Sequence, residues 1–286
     1  MYGPVGASHR LSGRSPHVVE AAHLLDQPND NRLFVDVRLG DPDEQLLRYR
    51  ESHIHGAVHA QIRDVFAAPP TAQSGSLPLP SIESLRRQLC SWGVDAQTEI
   101  IVYGASPALA SRGWWVLRWA GCQNVRVLDG GIRSWTSQGG PLAQGDSIPA
   151  KRSSSGTLEL SAGHLGEVSV EQVETLPEQV LLIDARDESA FLAGAIPRAM
   201  HLPAADLWTP DGYLRTVDEI GSLLQSVGAL DADQVVVYCG GGVLSALTTL
   251  ALSAFGSAPR LFVGSWSQWS RSPDRMARSA STGVFS

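Results

Sequence analysis

Cysteine is scarce in this chain: 286 residues hold three, Cys90, Cys122 and Cys239, in no Cys-x-x-Cys pair and no Cys/His ligand spacing. That argues against a disulfide-built scaffold or a zinc module, and no metal site is expected. An odd, sparse set suits a reducing compartment with at most one functional thiol, so the expected location is cytoplasmic. No apolar run approaches the roughly 20 residues of a membrane span. The first sixteen residues, MYGPVGASHRLSGRSP, lack the apolar core of a secretory signal and read as a disordered leader, 1–16. There is no Gly-x-Gly-x-x-Gly and no phosphate-loop Lys-Ser/Thr, which disfavours a nucleotide site. Positive charge is also short, with 22 Lys and Arg against 29 Asp and Glu, a formal net charge of −7. A nucleic-acid partner or an anionic membrane surface is therefore not expected, although a local basic pocket for a small anion remains open.

What is present is a programme read twice. The first half runs RLFVDVR (32–38), SHIHGAVHA (52–60), EIIVYG (99–104) and VRVLDGGIRSW (125–135). The second runs VLLIDAR (180–186), LAGAIPRAMHLP (192–203), QVVVYCG (234–240) and RLFVGSWSQW (260–269). Asp36 matches Asp184, Tyr103 matches Tyr238 and Trp135 matches Trp269, with offsets of 148, 135 and 134 residues, so the copies differ by loop deletions. A period near 140 residues marks a duplicated domain, not a solenoid unit. The Val/Ile/Leu runs lack alternation, as strands buried on both faces do. Helix-period segments such as SIESLRRQLCSWG (81–93) and ALASRGWWVLRWAG (108–121) lie between them. Strands alternating with helices predict an α/β fold with a parallel sheet in each half. The Ser-, Gly- and Pro-rich stretch 141–163 is the expected linker between a domain at 17–140 and a second at 164–286.

The stretch VVVYCGGGVLS (235–245) carries the chemistry. A buried strand ends at Tyr238, and an apolar helix follows from Leu244 to a C-capping Gly256. Cys239 then stands at the carboxyl end of a parallel strand, the edge where open α/β sheets bind ligands. Gly240, Gly241 and Gly242 let the backbone curl tightly, so that successive N–H groups form a nest at a helix N-terminus. A thiolate held there is stabilised and nucleophilic, and missing side chains leave room for one more atom on the sulfur. The residues alone leave two other readings: a small buried hydrophobe in a tight strand-to-helix turn, or an anion-binding glycine loop. A thiol phosphatase needs Cys-x5-Arg to grip phosphate, and Ser245 stands where that Arg belongs.

The loop, the repeat and the motifs YCGGGV (238–243), VLLIDAR (180–186) and GSWSQWSRSPDR (264–275) together resemble the tandem-domain rhodanese family, the thiosulfate and 3-mercaptopyruvate sulfurtransferases. The likeness runs from about residue 17 to 278 and implies two domains, each a parallel five-stranded sheet flanked by helices. In that family the amino-terminal domain is catalytically silent, and Gly104 here stands at the position of Cys239. The resemblance implies a Cys239 thiolate that takes a sulfane sulfur from a small anionic donor, becomes a persulfide, and passes the sulfur to cyanide or a thiol, thioredoxin among them. No metal or organic cofactor is implied. The alternative is a rhodanese-like sulfur-carrier or binding module with weak intrinsic catalysis.

Departures from the family pattern bear on the donor. Thiosulfate-type members carry cationic residues in the loop, whereas Gly240, Gly241, Gly242, Val243 and Leu244 are neutral. The loop is closer to the mercaptopyruvate-type Cys-Gly-Ser-Gly-Val-Thr, with Gly241 replacing its Ser and Leu244 its Thr. Ser245, one position on, is the candidate to supply such a hydroxyl, although the shift turns it roughly 100° around a helix. Ala190 stands where the second domain of the family carries a substrate-gripping Arg, which leaves Arg186 as the nearest candidate, Arg198 behind it, with a structural ion pair as the competing role. His53 stands at the His of the family's His-Ile-Pro-Gly motif, with His55 in place of Pro. The resemblance gives it a proton-transfer role across the domain interface; capping or bridging there is the alternative. Asp184 is expected to bond loop amides near the live site, Trp266 to wall the pocket, and Cys90 and Cys122 to pack.

Overall fold

The chain is described from a computed structural model, which covers residues 11–13, 15–147 and 158–280. Its apolar runs become strands β1 (Val18–Val19), β2 (Arg32–Arg38), β3 (His53–Ile54), β4 (Val58–Gln61), β5 (Glu99–Gly104), β6 (Val125–Leu128) and β7 (Leu142–Ala143) in the first half. The second half supplies β8 (Glu167–Val168), β9 (Leu181–Asp184), β10 (Met200–His201), β11 (Val235–Tyr238) and β12 (Arg260–Phe262). Two five-stranded sheets result, β1-β6-β5-β2-β4 and β8-β12-β11-β9-β10, parallel at every pairing and identical in order. The duplicated programme thus folds into one topology twice. The central strands β5 and β11 are buried along almost their whole length, because helices cover both faces of each sheet.

Helices Pro107–Trp119 and Leu244–Ala254 follow these central strands. Pro107 opens the first with a preset φ, and the Ser106 hydroxyl caps it by accepting from Leu109 N–H. The second ends at Gly256, whose φ of +83° is the left-handed cap conformation. The two helices pack on each other across the domain boundary. One apolar cluster holds Trp115 and Leu117 from one together with Leu247 and Leu250 from the other. The domains therefore share a core, which fixes the carboxyl edge of the second sheet against the first domain.

The flanks of the expected linker are pinned to the first domain. β7 pairs antiparallel with β3, and Ser161 and His164 N–H donate to Ala120 and Trp119 carbonyls. Residues 148–157 of it lie outside the described residues, as do 1–10 and 14 of the expected leader. Leu11 of that leader departs from expectation: it is fully buried in the core, and its carbonyl accepts from Ser15 N–H. An apolar side chain that finds a core gains more than it loses in chain entropy, and composition does not show where that core is. Among the described residues no helix is long and apolar enough to cross a membrane.

Candidate active site

Cys239 directly follows β11, and its side chain joins Val237, Ala185 and Val263 in the core shared with the first domain. Two donors converge on its sulfur: Gly242 N–H at 3.1 Å and the Ser245 hydroxyl at 3.4 Å. Gly242 reaches this position at φ +83°, and a Cβ there would stand 3.0 Å from Val263 O and 2.9 Å from an Arg112 nitrogen. Only glycine suits both the dihedral and the space. The expected nest is narrower than a ring of amides, with one amide and one hydroxyl on the sulfur. The loop carbonyls of Cys239 and Gly240 turn the other way and accept from Trp266 and Ser267 N–H. Ser245, the candidate hydroxyl despite that turn, reaches the sulfur because helix Leu244–Ala254 begins directly at Leu244 with Val243 already in helical dihedrals. A Cβ on Gly240 meets nothing within 4 Å, so open space lies beside the loop there.

Ser265 supports the cysteine from behind. Its φ of +53° is unusual for a residue with a side chain, and its hydroxyl accepts from Cys239 N–H at 3.2 Å while donating to Phe262 O at 2.9 Å. Such strain persists only where surrounding bonds compensate it. From the first domain, Arg112 lies fully buried on helix Pro107–Trp119. It donates to the carbonyls of Gly242 at 3.3 Å, Phe66 at 3.0 Å and Leu77 at 3.0 Å, and its Nε has no partner among the described residues. Burial lowers its pKa to about 10, with the Cys239 sulfur pulling the other way, so it is charged at neutral pH.

The segment 71–77 of the first domain covers the loop. Ser76 N–H donates to Ser267 Oγ at 2.9 Å, Gln268 donates to Gln73 O at 2.9 Å, and Arg271 donates to Ala72 O at 3.0 Å. The Ser76 hydroxyl stands where a side chain on Gly241 would go, so the hydroxyl lost at 241 is matched by one from across the interface. Under this cover Cys239 is 1% exposed.

Asp184, Arg186 and Trp266 gather on the other face of the second sheet. Tyr238, one residue before Cys239, belongs to the cluster of Val236 and Leu182, because successive strand side chains alternate. Arg186 is held by Asp184, with Nη2 2.5 Å from Oδ2, and donates to Gly194 O at 2.6 Å. Burial works against its charge, yet the Asp184 bonds and charge hold its pKa above the usual value. Tyr238 OH donates to Asp184 at 2.6 Å and accepts from Ile196 N–H at 3.0 Å. The Trp266 ring lies under the guanidinium, 4.5 Å from its centre, and the Trp266 backbone N–H donates to Cys239 O at 2.9 Å. The first domain repeats this wiring without a cysteine: Arg38 pairs with Asp36 at 2.8 Å, and Tyr103 OH accepts from Ile54 N–H at 3.1 Å. Arg186 takes the ion-pair role that competed with donor gripping, and Asp184 accepts from a loop amide, Arg186 N–H, at 3.0 Å, on the face away from Cys239. Both tie loops to a strand end. Replacing Tyr238 by Phe strands the Ile196 N–H and one carboxylate bond, and is expected to cost about 1–3 kcal/mol in urea unfolding while leaving sulfur uptake at Cys239 in place.

His53 is also placed elsewhere. It is buried in β3, stacked 4.0 Å from the Tyr49 ring, with Nδ1 2.9 Å from Tyr49 O. Its ring stacking, its Nδ1 bond and its strand pairing all lie on Tyr49 and Ala143, away from Cys239. The antiparallel pairing of β3 with β7 holds it there. Cys122 is buried, and burial pushes its thiol up to about 12, whereas Cys90 is exposed. Gly104 closes the corresponding site in the first domain: a Cβ there would stand 2.6 Å from Val37 O. Sequence reasoning missed Arg112, Ser265 and Ser76. Arg112 was visible as the lone charge in ALASRGWWV (108–116), and Ser265 sat within the quoted Gly-Ser-Trp; Ser76 carried no signal.

A family profile described as a rhodanese-like domain matches residues 18–138 and again 169–272. A putative thiosulfate sulfurtransferase of Mycobacterium tuberculosis is 33% identical over 280 residues, covering 93% of this chain and 98% of the relative. A probable 3-mercaptopyruvate sulfurtransferase of Pseudomonas aeruginosa is 32% identical, covering 90% and 94%. Among solved structures, the 3-mercaptopyruvate enzyme SseA from Escherichia coli superposes with a TM-score of 0.73 at 27% identity, covering 88% of this chain and 99% of that one. With both sheets in one order and the matched profile spanning both halves, this chain belongs to the rhodanese family.

Proposed function

We infer that the protein is a sulfurtransferase in which Cys239 is the nucleophile and the first domain a structural partner. The observation that carries this reading is the pair of donors on the Cys239 sulfur at the carboxyl edge of a parallel sheet. The thiolate attacks the outer sulfur of a donor, the donor's bond to that sulfur breaks with its electron pair, and a Cys239 persulfide remains. From thiosulfate the leaving group is sulfite. From 3-mercaptopyruvate it is the pyruvate enolate, which takes up the proton of the donor's thiol. Cyanide or a thiol then attacks the outer sulfur and regenerates the thiolate. The Gly242 N–H and Ser245 hydroxyl hold negative charge on sulfur in both states.

A neutral loop supports 3-mercaptopyruvate over dianionic thiosulfate, since Arg112 is spent on three carbonyls and Arg186 on Asp184. A sulfur-carrier role with weak turnover is supported by one observation, the 1% exposure of Cys239 beneath segment 71–77. Thiocyanate production measured in parallel with both donors separates these readings. A kcat/KM for 3-mercaptopyruvate at least about tenfold above that for thiosulfate is expected, roughly 1.4 kcal/mol of discrimination. Two rates at background, with persulfide still formed, would replace the enzyme by the carrier.

A further inference from the structure

The buried cation of this site comes from the domain that lacks a cysteine. Arg112 is fully enclosed, and among the described residues no carboxylate pairs with it. An arginine keeps its charge at any ordinary pH, and a buried charge without a counter-ion is costly. Three carbonyls offset part of that cost, and the Nε remains without a partner among the described residues. The anion that can complete the balance is on the other domain. Gly242 carries both ends of the connection, since its carbonyl accepts from Arg112 and its N–H donates to the Cys239 sulfur. The same guanidinium holds Leu77, the last residue of the covering segment, and Phe66 ahead of it.

We propose that Arg112 is a positioning residue that acts across the domain interface, as the countercharge of the Cys239 thiolate and persulfide and as the clamp that keeps Gly242 N–H on the sulfur. This rests on Cys239 being the reactive residue. The cation that thiosulfate-type members place in the loop is here supplied from the first domain, beneath the loop and not at its mouth. A charge so placed stabilises the sulfur anion in every state of the cycle without gripping the donor. The two donors on the sulfur, the Gly242 N–H and the Ser245 hydroxyl, are neutral, as is the Ser265 hydroxyl that accepts from the Cys239 N–H. Asp184, Arg186 and Tyr238 belong to the opposite face of the sheet, where they neutralise one another.

The test is an ultraviolet titration of the thiolate, taken as the difference between the protein and its Cys239→Ser variant. It is repeated in Arg112→Met and in Arg112→Lys, each against its own Cys239→Ser partner. The Met variant is expected to titrate at least about one pH unit higher, roughly tenfold less thiolate at a given pH below the midpoint. The Lys variant, which keeps the charge, stays nearer the parent. A side chain that merely packs would alter thermal stability in both variants and move neither midpoint, and a folded Met variant titrating with the parent overturns the proposal. If the Met variant does not fold, the unsubstituted protein decides. Its Tm relative to that of Cys239→Ser should rise with pH as the thiolate forms in the folded protein below the pH at which the unfolded thiol ionises, and a Tm difference that does not change with pH would overturn the coupling. The titration needs no sulfur donor, so it succeeds or fails apart from the turnover assay that tests the sulfurtransferase reading.

Discussion

Cys239→Ser is expected to reduce thiocyanate formation to background, a loss on the order of a thousandfold or more, because removing a covalent nucleophile removes the pathway itself. Mass spectrometry after donor treatment should show one added sulfur on the parent protein and none on the variant. The fold should survive, since a hydroxyl of similar size can still accept from Gly242 N–H and Ser245. Neither remaining cysteine can substitute: Cys122 is a buried thiol whose pKa burial raises to about 12, and Cys90 stands exposed on the helix Ile82–Ser91. A variant that turned over at the parent rate would remove the basis for the proposed function.

Gly242→Ala is expected to have the second largest effect. The alanine must adopt φ +83° with its Cβ 2.9 Å from Arg112 and 3.0 Å from Val263 O, so the peptide rotates or the interface opens. The left-handed conformation alone costs roughly 1–2 kcal/mol. Displacing the N–H from the sulfur removes a donor of the kind whose loss lowers kcat by about a hundredfold or more. Gly240→Ala is the matched control, because its Cβ would meet nothing within 4 Å. Unfolding curves and steady-state kinetics on the pair separate a specific requirement at 242 from a general need for glycine. Equal effects at both positions would contradict the geometry described above.

How far the sequence carried depended on how local each feature was. The strand RLFVDVR (32–38) coincides with β2, and the helix expected over 108–121 spans Pro107–Trp119, since an apolar run or a helical period is written in consecutive residues. The cysteine at a strand end, followed by glycines, was legible for the same reason. The role of Arg186 stayed open between donor gripping and an ion pair because the motif does not show which face of the sheet each side chain takes. Only the pairing of Tyr238 with Asp184 revealed a buried ion pair repeated in the domain without a cysteine. His53 was misread because its place depends on β7, some ninety residues away, pairing with β3.

The sequence by itself determined that this protein is a duplicated α/β chain with a single cysteine at the business end of its second parallel sheet. Hydrophobic period and glycine placement are properties of neighbouring residues, so they survive without coordinates. Tertiary structure alone decided that the sulfur lies beneath a segment of the first domain, that Ser245 reaches it, and that Arg112 supplies the nearby charge. The first and last of those relations join residues 130 or more positions apart, as Arg112 and Gly242 are, through the packing of two helices, whereas Ser245 reaches the sulfur because its helix begins directly at Leu244. Such proximity is set by the shared core, and no local pattern encodes it.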